Sequence, residues 1–219
     1  MPTLQIRHGR WLIHIAKNLL LALPILLSTE QVMATEEAKY TVIETSGAFE
    51  LRAYSPRILA ETLVSGTLDE ASSAGFKIIA DYIFGNNTSS SSTDNKISMT
   101  IPVSVQLQSE KISMTAPVSM QKKDGEWLIH FVMPAKYSLN TLPTPNNPAV
   151  TLRQMPARNY AVLGFSGFTG PIKVDKKITE LMNWLKIKGI TAISEPEMAR
   201  YNVPWSLPFM RRNEVMVMY

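Results

Sequence analysis

Cysteine is absent from the 219 residues, which excludes a disulfide framework, a thiolate nucleophile, a Cys-ligated metal and a lipid-modified cysteine anchor. Histidine is scarce as well. Of the three present, His8 and His14 fall before residue 35, so His130 stands alone beyond it. No second histidine is then available there for a zinc or facial-triad site. Excess charge is also small, at +4. Residues 1–34 carry Arg7, Arg10 and Lys17 against Glu30, which leaves 19 basic and 17 acidic residues in the remainder. A nucleic-acid footprint needs Lys and Arg clustered on one face, and no such cluster occurs. Neither a phosphate-cradling glycine loop nor a Gly-x-Ser-x-Gly elbow is found. The longest apolar run, Leu19 to Leu27, is interrupted by Pro24 and falls well short of the ~20 residues that span a bilayer.

What is present begins with that run. Basic residues, a short apolar stretch and then Val32-Met33-Ala34 have the order of a secretory signal peptide. The expectation is a leader over residues 1–34, cleaved near Ala34, and a mature domain over residues 35–219. It carries with it a periplasmic or secreted location and no stable membrane span after cleavage. An uncleaved anchor recruiting Trp11 to Ile15 is the alternative. An exported chain without disulfides relies on its core for stability, and 185 residues are enough to build one.

The octapeptide Lys-Ile-Ser-Met-Thr-x-Pro-Val occurs at Lys96 to Val103 and again, fifteen residues on, at Lys111 to Val118. Both copies alternate as half-buried strands do. In the first, Ile97, Met99, Ile101, Val103, Val105 and Leu107 share one face. In the second, Ile112, Met114, Ala116, Val118 and Met120 do so, with a Ser/Thr row expected outside. Pro102 and Pro117 remove a ladder donor, so a bulge or an edge is expected at each. The methionines of the expected strands (Met99, Met114, Met120, Met133, Met216 and Met218) either fill the core or line an adaptable ligand surface.

A longer repeat underlies the chain. Leu51 to Gly66 overlays Leu152 to Gly167 without a gap, matching Leu51/Leu152, Arg52/Arg153, Arg57/Arg158, Ala60/Ala161, Ser65/Ser166 and Gly66/Gly167. A helical segment follows each copy. The first opens at Thr67 with Glu70 placed for a capping box and ends near Gly85. The second carries Val174, Ile178, Leu181, Met182 and Leu185 on one stripe and ends at Gly189. Two strand-helix-strand halves follow, joined by Trp127 to Val150, in which Trp127 to Met133 reads as a strand covered on both faces. Asn86 to Asn95 is too polar to repay its ordering entropy and reads as a mobile loop. Val215 to Tyr219 reads as a final strand.

Chemistry is sparse. His130, alone in an apolar strand, reads as a neutral, hydrogen-bonded core residue, although a haem iron needs only one axial ligand. Glu214, beside Arg211 and Arg212, reads as ion-paired and therefore a poor general acid.

Several segments carry a family resemblance. They are Phe49-Glu50-Leu51-Arg52-x-Tyr54, Asp81 to Asn86, Lys111 to Val118, Phe165-Ser166-Gly167, Tyr201-Asn202-x-Pro204 and Arg211-Arg212-Asn213-Glu214-Val215. Together they resemble the SOUL haem-binding protein family, from about Tyr40 to Tyr219. The resemblance implies an α+β fold: a distorted antiparallel β-barrel of two pseudo-symmetric strand-helix-strand halves flanked by two helices. It also implies non-catalytic binding of haem or another tetrapyrrole. The site expected from relatives is the outer face of the first helix, here Ser73, Lys77, Ala80, Asp81 and Phe84, with Trp205, Leu207, Phe209 and Arg211 from the loop before the last strand.

The chain departs from that pattern. Ser73 and Asp81 stand where relatives place basic propionate partners, and Ala53 where one relative has an axial histidine. Haem would then be held by apolar and aromatic contact without strong axial ligation. Burial of a few hundred Å² at ~25 cal/mol per Å² is enough for micromolar affinity after association costs. The alternative is a binding module for other small amphipathic ligands, as in the effector domains of drug-sensing regulators, or an interaction scaffold. An enzyme using Glu214 with Tyr201 is the third reading.

Overall fold

The computed structural model describes residues 35–89, 109–203 and 205–219. The first octapeptide copy, most of the Asn/Ser/Thr run and Pro204 lie outside them. The described chain runs β1 (Glu36–Glu37), β2 (Tyr40–Ser46), β3 (Phe49–Tyr54), β4 (Arg57–Val64), α1 (Leu68–Ile83), β5 (Asn87–Thr88), β6 (Thr115–Ala116), β7 (Val118–Lys123) and β8 (Glu126–Val132). It continues as β9 (Thr144–Pro145), β10 (Thr151–Met155), β11 (Arg158–Phe165), α2 (Pro171–Lys188), β12 (Glu197–Arg200) and β13 (Asn213–Met218). No helix among the described residues is long and apolar enough to cross a membrane.

Both helices form where the pattern places them. Thr67 accepts from the Glu70 backbone N–H while the Glu70 carboxylate accepts from the Thr67 N–H, so two orphan donors of α1 are satisfied reciprocally. Gly189, at φ 70°, terminates α2 in the left-handed conformation. The helices lie on one side of the sheet, α1 against β4 and β8 and α2 against β11 and β13. Leu51, Ile79, Ile129, Phe131, Leu181 and Val215 belong to the core they share with it.

The sheet has nine strands in the order β10-β4-β8-β7-β12-β13-β11-β3-β2. Its edges, β10 and β2, do not meet, so the expected barrel is an open antiparallel sheet. The duplication is visible in this order. Each half lends the first strand of the repeat to the other: β3 pairs with β11 of the second half, and β10 with β4 of the first. The shift that lays Leu51 on Leu152 also carries the pairing Tyr54↔Arg158 onto Met155↔Arg57, register included. The two halves meet at β7 and β12, where Met120 pairs with Met198 on the pseudo-twofold axis. Both are buried.

Alternation along each lent strand explains the matched Leu-Arg pair. Leu51 and Leu152 turn toward the helices, and the following arginine turns to the other face. There Arg52 reaches Glu214 of the second half, at 2.9 and 3.0 Å. Arg153 correspondingly reaches Glu61 of the first half, at 2.8 and 2.5 Å.

Two local expectations are corrected. Thr115 of the second octapeptide and Ser119 just after it are buried, not part of an outer polar row, because the helix-free face is itself covered. Thr115 donates to the Val132 carbonyl, and the strand breaks at Pro117 into β6 and β7. Asn87, at the start of the polar run, is also buried. Its amide donates to the carbonyls of Tyr82 and Glu110 and its side-chain oxygen accepts from Glu110 N–H, which ties 87 and 110 together.

α1 approaches the sheet at Gly75, where an added Cβ would lie 2.4 Å from Ile129 Cγ1. Gly75→Ala must push the helix off β8, and the expected loss is about 1–3 kcal/mol. Urea unfolding checks this; an unchanged midpoint would mean that the helix is free to shift.

Candidate functional site

The helix face and the loop expected from relatives come out on the surface, with one exception. Ser73, Lys77, Asp81 and Phe84 are exposed along α1. Ala80 is buried at 6 % exposure, because it lies on the stripe with Ile79 and Ile83 that packs on the sheet. Lys77 forms no ion pair among the described residues, and Asp81 accepts from Asn86 Nδ2 at 2.5 Å.

In the loop between β12 and β13, Trp205 is 83 % and Phe209 73 % exposed, with Leu207 also outside. A single 3-10 turn at Pro208–Met210 shapes it. The contacts that hold the loop run to the start of α2. Gly167 N–H donates to the Pro208 carbonyl at 2.9 Å, and Asn213 Nδ2 to the Gly167 carbonyl at 3.0 Å. Arg211 donates from Nε to the Ser206 carbonyl and lies 5.5 Å from the Phe168 ring centre. No stacked ring pair joins Trp205 or Phe209 to Phe84 among the described residues. The loop is anchored to the start of α2, whereas on α1 Phe84 is the only apolar residue among the exposed ones expected for the site.

The opposite face of the sheet holds groups that residue pattern alone did not bring together. Glu214, 2 % exposed, accepts from Arg52, from Arg212 at 3.0 Å and from Tyr201 Oη at 2.7 Å. Burial opposes its charge, but hydrogen bonds from Arg52 and Tyr201 and the nearby Arg52 and Arg212 guanidiniums hold its carboxyl below the ordinary value. Of the two arginines expected from sequence, Arg212 pairs with it, and Arg52, 162 positions away, is the partner the sequence did not show. Tyr201 and Glu214 do meet, yet the carboxylate is closed in and fully engaged. A group so held has neither the access nor the pKa of an acid-base catalyst.

Beside this pair lies a second cluster. His130 is buried, with Nε2 3.5 Å from Glu197 Oε2. Its Nδ1 and the Nη1 of Arg57 are buried without a hydrogen-bond partner. Burial pushes the imidazole down to about 4 and the Glu197 carboxyl up to about 7. His130 is thus neutral and interior, as its sequence context suggests. These groups line a cavity of about 20 Å³ walled by Tyr54, Tyr201 and Met216, space for about one water. A wider pocket of about 290 Å³, between β1 and the turn at Pro134 to Ser138, shares Glu37, Ala38, Arg57 and Val132 with it. No group of three or more His, Asp or Glu is placed to hold a metal among the described residues.

The model of the SOUL heme-binding protein family matches residues 35–218. The chain belongs to the SOUL family. No curated protein sequence matches it. Among solved structures, the C-terminal domain of EcmrR aligns with TM-score 0.55 at 9 % identity, over 82 % of this chain and 96 % of that one. EcmrR in a DNA complex aligns with TM-score 0.51 at 10 % identity, over 77 % and 56 %. A hydrolase from Listeria innocua aligns with TM-score 0.46 at 9 % identity, over 84 % and 93 %. At such identities the likeness speaks for the fold and not for the ligand.

The buried pair of the SOUL domain has a pH signature. Between about 4.5 and 6.5 the unfolded chain carries Glu197 ionised and His130 protonated, whereas the folded chain holds both neutral. Both states then bind the same number of protons, and the pair adds no slope to stability over that range. Glu197→Gln leaves His130 alone. Its folded pKa is depressed, so its contribution is complete above 6.5 and is lost as pH falls toward 4. The variant is expected to lose stability relative to the parent as pH drops from 6.5 to 4.5, measured by urea unfolding at each pH. Parallel profiles would contradict the assignment.

Proposed function

We propose that this SOUL domain is an exported, non-catalytic tetrapyrrole-binding protein that holds the macrocycle by apolar and aromatic contact. The observation that carries the reading is the loop of Trp205, Leu207 and Phe209, with three large apolar side chains in water beside Arg211. A flat ring fits such a surface. Phe84 and Lys77 on α1 supply a second apolar edge and a cation for a propionate. Ser73 and Asp81 add no positive charge. A bound haem would supply a redox-active iron; the residues of this chain bind and orient the ring and offer it no strong axial ligand. His130 is enclosed with Nε2 toward Glu197, and Ala53 has no donor atom. Glu214, the carboxylate an enzymatic reading would use with Tyr201, is itself held by Arg52, Arg212 and Tyr201.

Residues 1–34, in this reading, direct the chain out of the cytoplasm and are removed near Ala34, which places the domain in the periplasm or outside the cell. Protein recovered from the cell envelope is expected to begin at Thr35, and a cytoplasmic full-length species would oppose export.

Titration with haemin tests the binding. A saturable Soret shift in the range of micromolar to tens of micromolar is expected. Trp205→Ala is expected to weaken it several-fold and His130→Ala to leave it nearly unchanged, provided the variant folds. No saturable shift, or the reverse ranking, would overturn the proposal.

A second reading is favoured by one observation: the buried Glu197 carboxyl, to which no guanidinium is hydrogen-bonded among the described residues, lines the 20 Å³ cavity that shares Glu37, Ala38, Arg57 and Val132 with the 290 Å³ pocket at β1. That pocket suits a small amphipathic cation. Thermal stabilisation by apolar cations, lost in Glu197→Gln and not reproduced by porphyrins, would select this reading; stabilisation by porphyrins alone would reject it.

A further inference from the structure

The corner where the β12–β13 loop meets the start of α2 exposes more apolar surface than a flat ring alone would need. Phe168 and Ile172 on the α2 side, and Trp205, Leu207, Phe209 and Met210 on the loop side, are each between 55 and 89 % exposed. The bond from Gly167 to the Pro208 carbonyl brings the two sets to one tip. A soluble domain seldom leaves so many large side chains together in water without a partner for them. The surroundings say which partner. Lys173 and Lys176 are exposed on the first two turns of α2, where Asp175 is the one acidic residue, and Arg211 lies beside Phe168. Lys173 bonds the Ser166 carbonyl at 2.7 Å, which fixes its charge at the rim. The first turn of α2 carries no acidic residue, and its cap, Gly170, makes no side-chain bond, so the positive end of the helix faces outward uncompensated. A Trp and Phe wedge ringed by cations is the pattern of a segment that enters the headgroup region of a bilayer, with its cations on anionic lipid.

The geometry points to this tip as a docking surface for an anionic lipid membrane, entered by Trp205 and Phe209 and steadied by Lys173, Lys176 and Arg211. The inference rests on exposure and charge and does not require tetrapyrrole binding. A second copy of the chain would leave the cations facing one another.

The absence of cysteine provides a direct test. Ser206→Cys in the full chain, labelled with an environment-sensitive dye, reports on the tip. Asp124→Cys, at the turn between β7 and β8, is the control. With vesicles of phosphatidylcholine and phosphatidylglycerol, and no haemin, the 206 probe is expected to shift blue and be quenched by lipids spin-labelled in the acyl chain. The 124 probe should stay in water. Pure phosphatidylcholine and high salt should weaken the effect, and Trp205→Ser with Phe209→Ser should weaken it by about tenfold or more. A dry response at 124 with 206 in water would mean that another segment carries membrane binding and would overturn the inference. So would a 206 response that appears without vesicles and grows with protein concentration, which marks self-association. A 206 response to haemin but not to vesicles would also overturn it while leaving the tetrapyrrole reading intact.

Discussion

The exchange of the repeat's first strands, β3 and β10, between the halves is the constraint on which the rest of the molecule depends. β3 completes the sheet of the second half and β10 that of the first, so neither half buries its apolar face alone. Each exchanged strand carries the same pair, a leucine on the helix side and an arginine on the other. The leucines join the common core. The arginines reach carboxylates of the opposite half, Arg52 to Glu214 and Arg153 to Glu61. The first of these pairs is buried, with side-chain exposures of 6 and 2 %. A buried pair of this kind is expensive to break, because removing one partner strands the other in low dielectric.

The helix-free face follows from that arrangement. Two helices suffice for one side of a nine-stranded sheet, and the other side is closed by a layer of tyrosines and paired charges. Tyr54 and Tyr160 lie with ring centres 5.2 Å apart, and guanidinium groups cover Tyr40, Tyr54 and Tyr201. Glu197 and His130 sit within this layer as an electrically neutral pair, so the interior tolerates them. At the other extreme, the loop before β13 leaves its aromatic side chains in water, although the Pro208 carbonyl beneath them accepts from Gly167 N–H and the Asn213 side chain donates to the Gly167 carbonyl. A base fixed in this way holds the exposed side chains in defined positions.

Much of this was legible in the residues. The Leu-Arg and Ser-Gly matches disclosed the duplication, and Thr67, Glu70 and Gly189 disclosed both helices. The motif Arg211 to Val215 disclosed the family. What was not legible has a common physical cause. Alternation tells which residues share a face but not whether water reaches it, so Thr115 and Ser119 read as an outer row although the face is covered. Register within a strand likewise carries no information about its neighbour, which hid the strand exchange and with it Arg52, although the nearby Arg212 was read as a partner of Glu214 and is one. Ala80 is small enough to suit either side of α1, and only the packed helix shows that it faces inward. Glu197 had no signal beyond its alternation with Met198.

Hydrogen–deuterium exchange of the protein with and without haemin tests the central claim most directly, since it locates the ligand on one face or the other. Slowed exchange confined to 205–213, the start of α2 and the outer turns of α1 is the predicted result. Slowed exchange at 35–40 and 115–121 instead, with the loop unchanged, would put the ligand on the helix-free face and contradict the account.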